Sequence, residues 1–246
     1  MTKGSFCNGN STEPCPIGYY RDLEGGMTVD DCFKCPAGKY CNSLGLDKSV
    51  ENLDLCPKGY YCDGYDVSTD STMKKPCGEH HYCPEGSYKP TLCSDGQYQT
   101  STVAESCLDC EAGSKCFAFE DTIKIEDCDP GYYCGPKTGR LGKPCPPGTY
   151  LETSNGKVEE DCVPCEPGHY CNRFGLSEMS GECEEGFYCE QRARSGTPPT
   201  GSGYGGPCTP GHMCTAGSTQ ETKCLRGTHQ PNYYGTECLT CPAGQV

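Results

Sequence analysis

The chain has 246 residues, carries a formal net charge of −14 and contains 26 Cys, 33 Gly, 20 Pro and no Trp. Apolar residues are 34% of it even with Cys and Tyr counted, and the aliphatic ones stand singly, which excludes one large hydrophobic core; a chain this rich in Cys is a disulfide scaffold. The acidity excludes a nucleic-acid partner, since phosphate binding needs clustered Lys and Arg, and no run of 18 apolar residues is present to span a membrane.

Small units that bury too little surface to offset chain entropy need covalent staples. Disulfides persist in oxidising compartments, so the chain is expected outside the cell: secreted, on the cell surface or in an extracellular appendage. The first residues, MTKGSFC, lack the apolar segment of a signal peptide, and the sequence reads as a fragment of a longer exported protein or a mature chain with its ends missing.

One six-residue step, C-x2-G-x-aromatic-C, accounts for most of the sequence. Met1 to Cys7 fits it with Met standing where a Cys belongs. It then recurs, with variants, at Cys35 to Cys41, Cys56 to Cys62, Cys77 to Cys83, Cys110 to Cys116, Cys128 to Cys134, Cys165 to Cys171, Cys183 to Cys189 and Cys208 to Cys214. Gly78 is displaced in the third of these, and Lys115 replaces the aromatic in the fourth. C-x-x-C pairs stand at Cys32/Cys35, Cys107/Cys110, Cys162/Cys165 and Cys238/Cys241. The last stretch, Cys241 to Val246, stops one residue before the next expected Cys, so Cys7 and Cys241 are expected to lack partners; the alternative is that they pair with each other.

A longer period orders the steps. Cys15, Cys35 and Cys41 match Cys145, Cys165 and Cys171 at an offset of 130 residues, and Cys77, Cys83, Cys93, Cys107 and Cys110 match Cys208, Cys214, Cys224, Cys238 and Cys241 at 131. The tails agree too: Y-C-N-S-L-G-L at Tyr40 to Leu46 and Y-C-N-R-F-G-L at Tyr170 to Leu176. Self-similarity at a fixed period marks a repeat architecture. The expected divisions are the end of a module at 1–14, a long module at 15–92, a short one at 93–144, the second long copy at 145–223 and the start of another short one at 224–246.

Gly after Cys-x-x marks a turn with positive φ, and Pro beside Cys blocks helix and central strand. Short ribbons such as Tyr19 to Leu23 and Thr149 to Glu152 are expected to pair as hairpins across each Cys-to-C-x-x-C loop. The fold class is therefore small disulfide-rich modules in an elongated tandem array of short β-hairpins and loops, with almost no helix.

The candidate chemistry is sparse. Structural zinc needs two C-x-x-C pairs, or a pair plus His, within one small unit, and here the pairs lie far apart with cysteines left over. A redox C-x-x-C needs a βαβ context that is absent. His169 and His212 sit where other copies carry Tyr, and no nucleophile, base and orienter assemble, so no enzymatic activity is expected. Tyr40, Tyr61, Tyr82, Tyr133, Tyr170 and Tyr188 are expected to cover adjacent disulfides, a Tyr-rich recognition face being the alternative. Asp30-Asp31, Glu126-Asp127 and Glu159-Glu160-Asp161 are candidate oxygen ligands for weak Ca²⁺ binding, but they read better as solvated acidic loops; no cofactor is otherwise expected. Asn10-Ser11-Thr12 is an N-linked glycosylation sequon. The loop Ser195 to Gly206 is flexible by composition, with Thr197, Thr200 and Ser202 as O-linked candidates.

The pattern C-x2-G-x-Y-(x11)-x-C-x2-C-x2-G-x-Y-C resembles the ephrin-receptor-like cysteine-rich repeats, relatives of EGF-like and tumour-necrosis-factor-receptor-like modules that are common in large surface proteins of protists and algae. The calcium-binding EGF signature is not recognisable in it. The resemblance implies that the first two Cys of a unit close a hairpin and the next four pair one-to-three and two-to-four. That gives Cys15–Cys32, Cys35–Cys56 and Cys41–Cys62; Cys93–Cys107, Cys110–Cys128 and Cys116–Cys134; and Cys145–Cys162, Cys165–Cys183 and Cys171–Cys189. Cys224–Cys238 is the corresponding hairpin pair of the last module, and the additional pairs Cys77/Cys83 and Cys208/Cys214 are either internal or shuffled with their neighbours. A regular superrepeat suits self-association, because a contact that does not close makes a filament. The expected role is a structural subunit of an extracellular filament, flagellar hair (mastigoneme) or surface coat, partnered by copies of itself or similar repeat proteins and carrying glycans. The alternative is the stalk or ligand-binding ectodomain of a membrane-anchored receptor or adhesin.

Overall fold

A computed structural model describes residues 2–64 and 73–242. Met1 and the last residues of the step that begins at Cys241 lie outside them. Two units are distinguished, residues 1–109 with 116–124 and residues 110–115 with 125–246.

In the first unit, Cys35 bonds Cys41 and Cys56 bonds Cys62, with Cα separations of 6.0 and 5.8 Å, inside the range a disulfide spans without moving the backbone. The turn that brings these residues together is made at the central Gly. Gly38 has φ +80°, and a Cβ on it would lie 2.7 Å from the Gly86 carbonyl oxygen, so both the conformation and the close approach require glycine. The Gly also ties its step to the next. Gly38 donates its amide to the Cys62 carbonyl at 2.7 Å and accepts the Cys56 amide at 2.9 Å. Gly18 does the same with Cys41 (2.9 Å) and Cys35 (2.8 Å).

The second unit repeats the rule. Cys165 bonds Cys171, Cys183 bonds Cys189 and Cys208 bonds Cys214. Gly148 donates to Cys171 and accepts from Cys165, while Gly168 donates to Cys189 and accepts from Cys183, all at 2.8 to 2.9 Å. At about 1 kcal/mol net per hydrogen bond, the backbone pair makes neighbouring steps cooperative with no covalent bond between them.

These pairings correct the ladder implied by receptor-type modules. Cys35–Cys56, Cys41–Cys62, Cys165–Cys183 and Cys171–Cys189 do not form, because each step closes on itself. Cys110–Cys128 and Cys116–Cys134 are likewise excluded by a Cys128–Cys134 bond; Cys110 and Cys116 are themselves disulfide-bonded. The physical reason is the positive-φ Gly, which folds the chain back inside six residues before a second step is reached. The hairpin-closing bonds Cys15–Cys32, Cys93–Cys107, Cys145–Cys162 and Cys224–Cys238 are present, as are Cys77–Cys83 and Cys208–Cys214. In the chain-entropy model a six-residue loop contributes about 2 kcal/mol and a loop of about 20 residues, as in Cys35–Cys56, about 3, so self-closed steps are less constrained than the implied ladder.

Among the described residues, short strands pair into twelve two-stranded sheets. Tyr19–Tyr20 pairs antiparallel with Phe33–Lys34 across the Cys15–Cys32 loop, and Thr149–Tyr150 pairs with Val163–Pro164 across Cys145–Cys162. The ribbons are two residues long, shorter than the expected Tyr19 to Leu23 and Thr149 to Glu152, since each begins after a Gly turn and the next residue, Arg21 or Leu151, donates its amide instead to the Leu46 or Leu176 carbonyl. Helix among the described residues is limited to single 3-10 turns at Val29–Asp31, Val50–Asn52 and Glu159–Asp161.

The core is serial. In the second unit Tyr133 packs against the Cys145–Cys162 disulfide and Leu151, Tyr150 against Cys165–Cys171 and Leu176, and Tyr170 against Cys183–Cys189 and Ala193. Each ring belongs to one step and covers the disulfide of the following one. In the first unit, Tyr20 packs with Cys35, Cys41 and Leu53.

Candidate interaction surface

The surface is built from what the steps leave outside. Tyr40, Tyr61, Tyr82, Tyr133, Tyr170 and Tyr188 are all half-buried, and for Tyr133 and Tyr170 the cover falls on the next disulfide. Burial, with the Glu159 carboxylate beside it, raises the Tyr133 phenol above its ordinary value; its hydroxyl donates to Glu159 Oε2 at 3.3 Å. His169 and His212 open two-residue strands, as Tyr60 and Tyr132 do. His212 Nδ1 lies 3.2 Å from the Thr209 hydroxyl.

Two of the acidic candidates, Asp31 and Asp161, hold backbone. Asp31 Oδ2 accepts the amides of Met27 (2.7 Å) and Thr28 (3.0 Å), and Asp161 Oδ2 those of Lys157 (2.6 Å) and Val158 (3.1 Å). Those hydrogen bonds hold both carboxyls below the usual carboxylate range. Glu126 faces Lys115 at 3.4 Å, and Asp129 reaches the same ammonium at 2.6 Å. Among the described residues no group of three His, Cys, Asp or Glu is placed to hold a metal ion.

The sugar candidates divide by accessibility. Asn10, Thr197 and Thr200 are exposed, whereas Ser202 donates its hydroxyl to the Gly205 carbonyl at 2.8 Å. The loop around the last three is not a free linker. Pro198 is fully buried, Gly196 lies against the Tyr170 ring, and Gly205 to Pro207 pair with Phe187 to Cys189. Composition suggested flexibility because Gly and Pro serve tight packing as readily as disorder. Among the described residues Cys7 and Cys241 are the unpaired cysteines; Cys241 Sγ stands 3.8 Å from His229 Nδ1.

One apolar feature recurs at equal positions of the two copies. Leu44 is 62% exposed and Phe174 is 65% exposed. Each is held out by its neighbours. The following Gly45 or Gly175, at φ +66° or +72°, donates its amide to the Cys15 or Cys145 carbonyl at 2.9 Å. Leu46 and Leu176, one residue on, turn inward against the Cys35–Cys41 and Cys165–Cys171 clusters. The residue before the Gly therefore has nowhere to pack within its own unit. Phe33 and Val163, also 130 residues apart, are exposed as well. Sequence reasoning noted the matching C-N-x-x-G-L tails but not that their fourth residue is an apolar group in solvent; the signal was the shared apolar identity of Leu44 and Phe174.

No protein-family model matches the chain. It is 29% identical over 199 residues to Cysteine repeat modular protein A of Toxoplasma gondii, covering 72% of this chain and 6% of that protein. It is 32% identical over 127 residues to Tumor necrosis factor receptor superfamily member 14 of Homo sapiens, covering 45% of this chain and 44% of that protein. The chain thus spans less than half the length of either curated relative. These likenesses and the disulfide-closed steps together support a cysteine-rich repeat protein, similar over part of its length to a tumour-necrosis-factor-receptor superfamily member. No helix among the described residues is long and apolar enough to cross a membrane.

Proposed function

We propose that the chain is a structural part of an extracellular assembly, a filament, flagellar hair or surface coat, in which tandem modules associate with further copies of themselves. The modules are those bounded near Cys15, Cys93, Cys145 and Cys224. The observation that carries this reading is the recurrence of one exposed apolar residue, Leu44 and Phe174, at the same place in both long modules. The surrounding chain bears a net charge of −14. A polar, charged surface keeps such a chain soluble, while a repeated apolar group offers equivalent contacts at fixed intervals of sequence. The name of the Toxoplasma relative, a modular cysteine-repeat protein, agrees with a repeat-built role.

A second reading, the ligand-binding or stalk ectodomain of a membrane-anchored receptor or adhesin, is favoured by the match to a tumour-necrosis-factor-receptor superfamily member. Electron microscopy of the oxidised, purified chain across a concentration series separates the two. Fibres or regular oligomers support the assembly; single particles at every concentration contradict it and leave the receptor reading.

A further inference from the structure

The hairpin in which Tyr132–Tyr133 pairs with Lys143–Pro144 is closed by a loop that is pinned on both sides. Lys137 donates its amide to the Cys110 carbonyl at 3.0 Å, and the Thr138 hydroxyl donates to the Gly135 carbonyl at 2.8 Å. Gly142 lies so close to the Cys128–Cys134 disulfide that a Cβ on it would meet Cys134 Sγ at 2.9 Å. Between those anchors Arg140 and Leu141 are both exposed, and neither belongs to a strand. Leu141, at 82%, is the most exposed large apolar side chain among the described residues. From Pro130 to Leu151 the sequence holds no Asp or Glu but carries Lys137, Arg140 and Lys143, in a chain of net charge −14.

The Arg140–Leu141 peptide bond also lies outside every disulfide loop. Cys128–Cys134 closes before it, and each bonded cysteine from Cys145 onward has its partner after it. A cut there divides the chain covalently, just before Cys145 opens the second copy of the repeat. What remains across the cut is hydrogen bonding and packing: Gly131 to the Leu151 carbonyl, Cys134 to Gly156 and Asn155 to Cys128, with Tyr133 against the Cys145–Cys162 disulfide. Other basic residues are worse placed. Arg21, Lys58, Lys157 and Arg226 lie inside disulfide loops, Lys89 and Lys143 precede proline, and Arg192 precedes Ala193, which is fully buried. Arg173 stands in a turn whose Gly175 amide is held by the Cys145 carbonyl.

We propose that Arg140–Leu141 is a processing site for an extracellular protease of trypsin-like specificity, whose action separates the two copies. The proposal rests on the extracellular part of the function proposed above. The acidic primary pocket of such a protease takes the Arg140 side chain, and the local run of cations favours its approach where the rest of the acidic chain does not. Exposed loop tips with small residues are preferred nicking sites, and Gly139 and Gly142 flank this pair. Water adds across the bond: the Arg140 carbonyl carbon gains the hydroxyl, its bond to the Leu141 nitrogen breaks, and that nitrogen takes the proton as a new amino terminus. The hydrogen bonds left across the cut are each worth little net in water, so the halves separate on dilution.

The test uses the full chain, secreted from a eukaryotic cell behind a cleavable leader, with its free thiols capped. Trypsin at a limiting ratio is the probe, and samples are read without reduction by intact mass and by gel filtration. The expected first products are residues 1–140 and 141–246, eluting apart. Arg140→Gln is expected to slow loss of the intact chain several-fold, and Arg173→Gln to leave it unchanged. A disulfide-bonded chain first cut elsewhere, or an Arg140→Gln chain consumed at the parent rate, overturns the site while the assembly reading stands. Halves that elute together overturn the separation. A chain recovered with its cysteines reduced overturns the extracellular reading and the site with it.

Discussion

The carbonyl oxygen of Arg192 occupies the space a side chain on Gly148 would need: a Cβ there would lie 2.6 Å from it, and Gly148 has φ +90°. Arg192 itself has φ +66° and donates its amide to the Cys165 carbonyl at 3.0 Å, the role that Gly175 plays toward Cys145. Gly148→Ala therefore combines a strained backbone with a clash, and a loss of about 2–3 kcal/mol is expected in denaturant unfolding. Arg192→Gly relieves a left-handed arginine and is expected to gain up to about 1 kcal/mol, read in the same assay as a higher midpoint.

Lys115 takes the place of the step aromatic and is 8% exposed. Hydrogen bonding to Asp129 raises its pKa above 10.5, with Glu126 adding to the effect. A raised lysine contributes stability that is fully present below its unfolded value and is lost as pH climbs through the folded one. Lys115→Met is expected to lower stability at neutral pH by about 1 kcal/mol, a modest figure because both carboxylates are largely exposed to solvent. The gap between variant and parent should close above pH 10.5, as measured by unfolding at a series of alkaline pH values.

Asp31 and Asp161 behave in the opposite sense. Both are lowered from 3.8, first by the amides of Met27 and Lys157 respectively, so they stabilise the fold above that value and cease to do so as pH falls through the lower folded pKa. Asp161→Asn should flatten the acid limb of the stability curve. In nuclear magnetic resonance titrations, the Lys157 and Val158 amides should shift with a midpoint below 3.8 in the parent chain and lose that transition in the variant.

Leu44→Asp with Phe174→Asp is expected to leave the thermal unfolding midpoint within a degree or two, since neither side chain packs in its own unit. It is expected to abolish concentration-dependent association in sedimentation velocity. Association unchanged in the double variant would remove these residues from any contact between copies.

Much of this architecture was legible because Cys, Gly and Tyr spacing is itself the scaffold: the step, the 130-residue offset and the equivalence of Tyr40-to-Leu46 with Tyr170-to-Leu176 needed no coordinates. The bond partners of Cys35 and Cys165 were not legible, since four cysteines at these spacings admit more than one pairing and only the positive-φ Gly decides between them. Lys115 looked like a lost aromatic until Asp129 and Glu126 appeared around it. Pro198 looked like part of a flexible loop until it was found fully buried. Contacts of this kind join residues whose sequence separation carries no period.

The self-closed step is the claim on which the rest depends, and tryptic digestion without reduction tests it most directly. Cleavage at the exposed Arg173 separates residues 158–173, which hold Cys162, Cys165 and Cys171, from residues 174–192, which hold Cys183 and Cys189. Self-closed steps predict that 158–173 remains joined to residues 141–157 through Cys145–Cys162, while 174–192 is released as a separate peptide with its own internal bond. Recovery of 158–173 covalently joined to 174–192 would contradict the account.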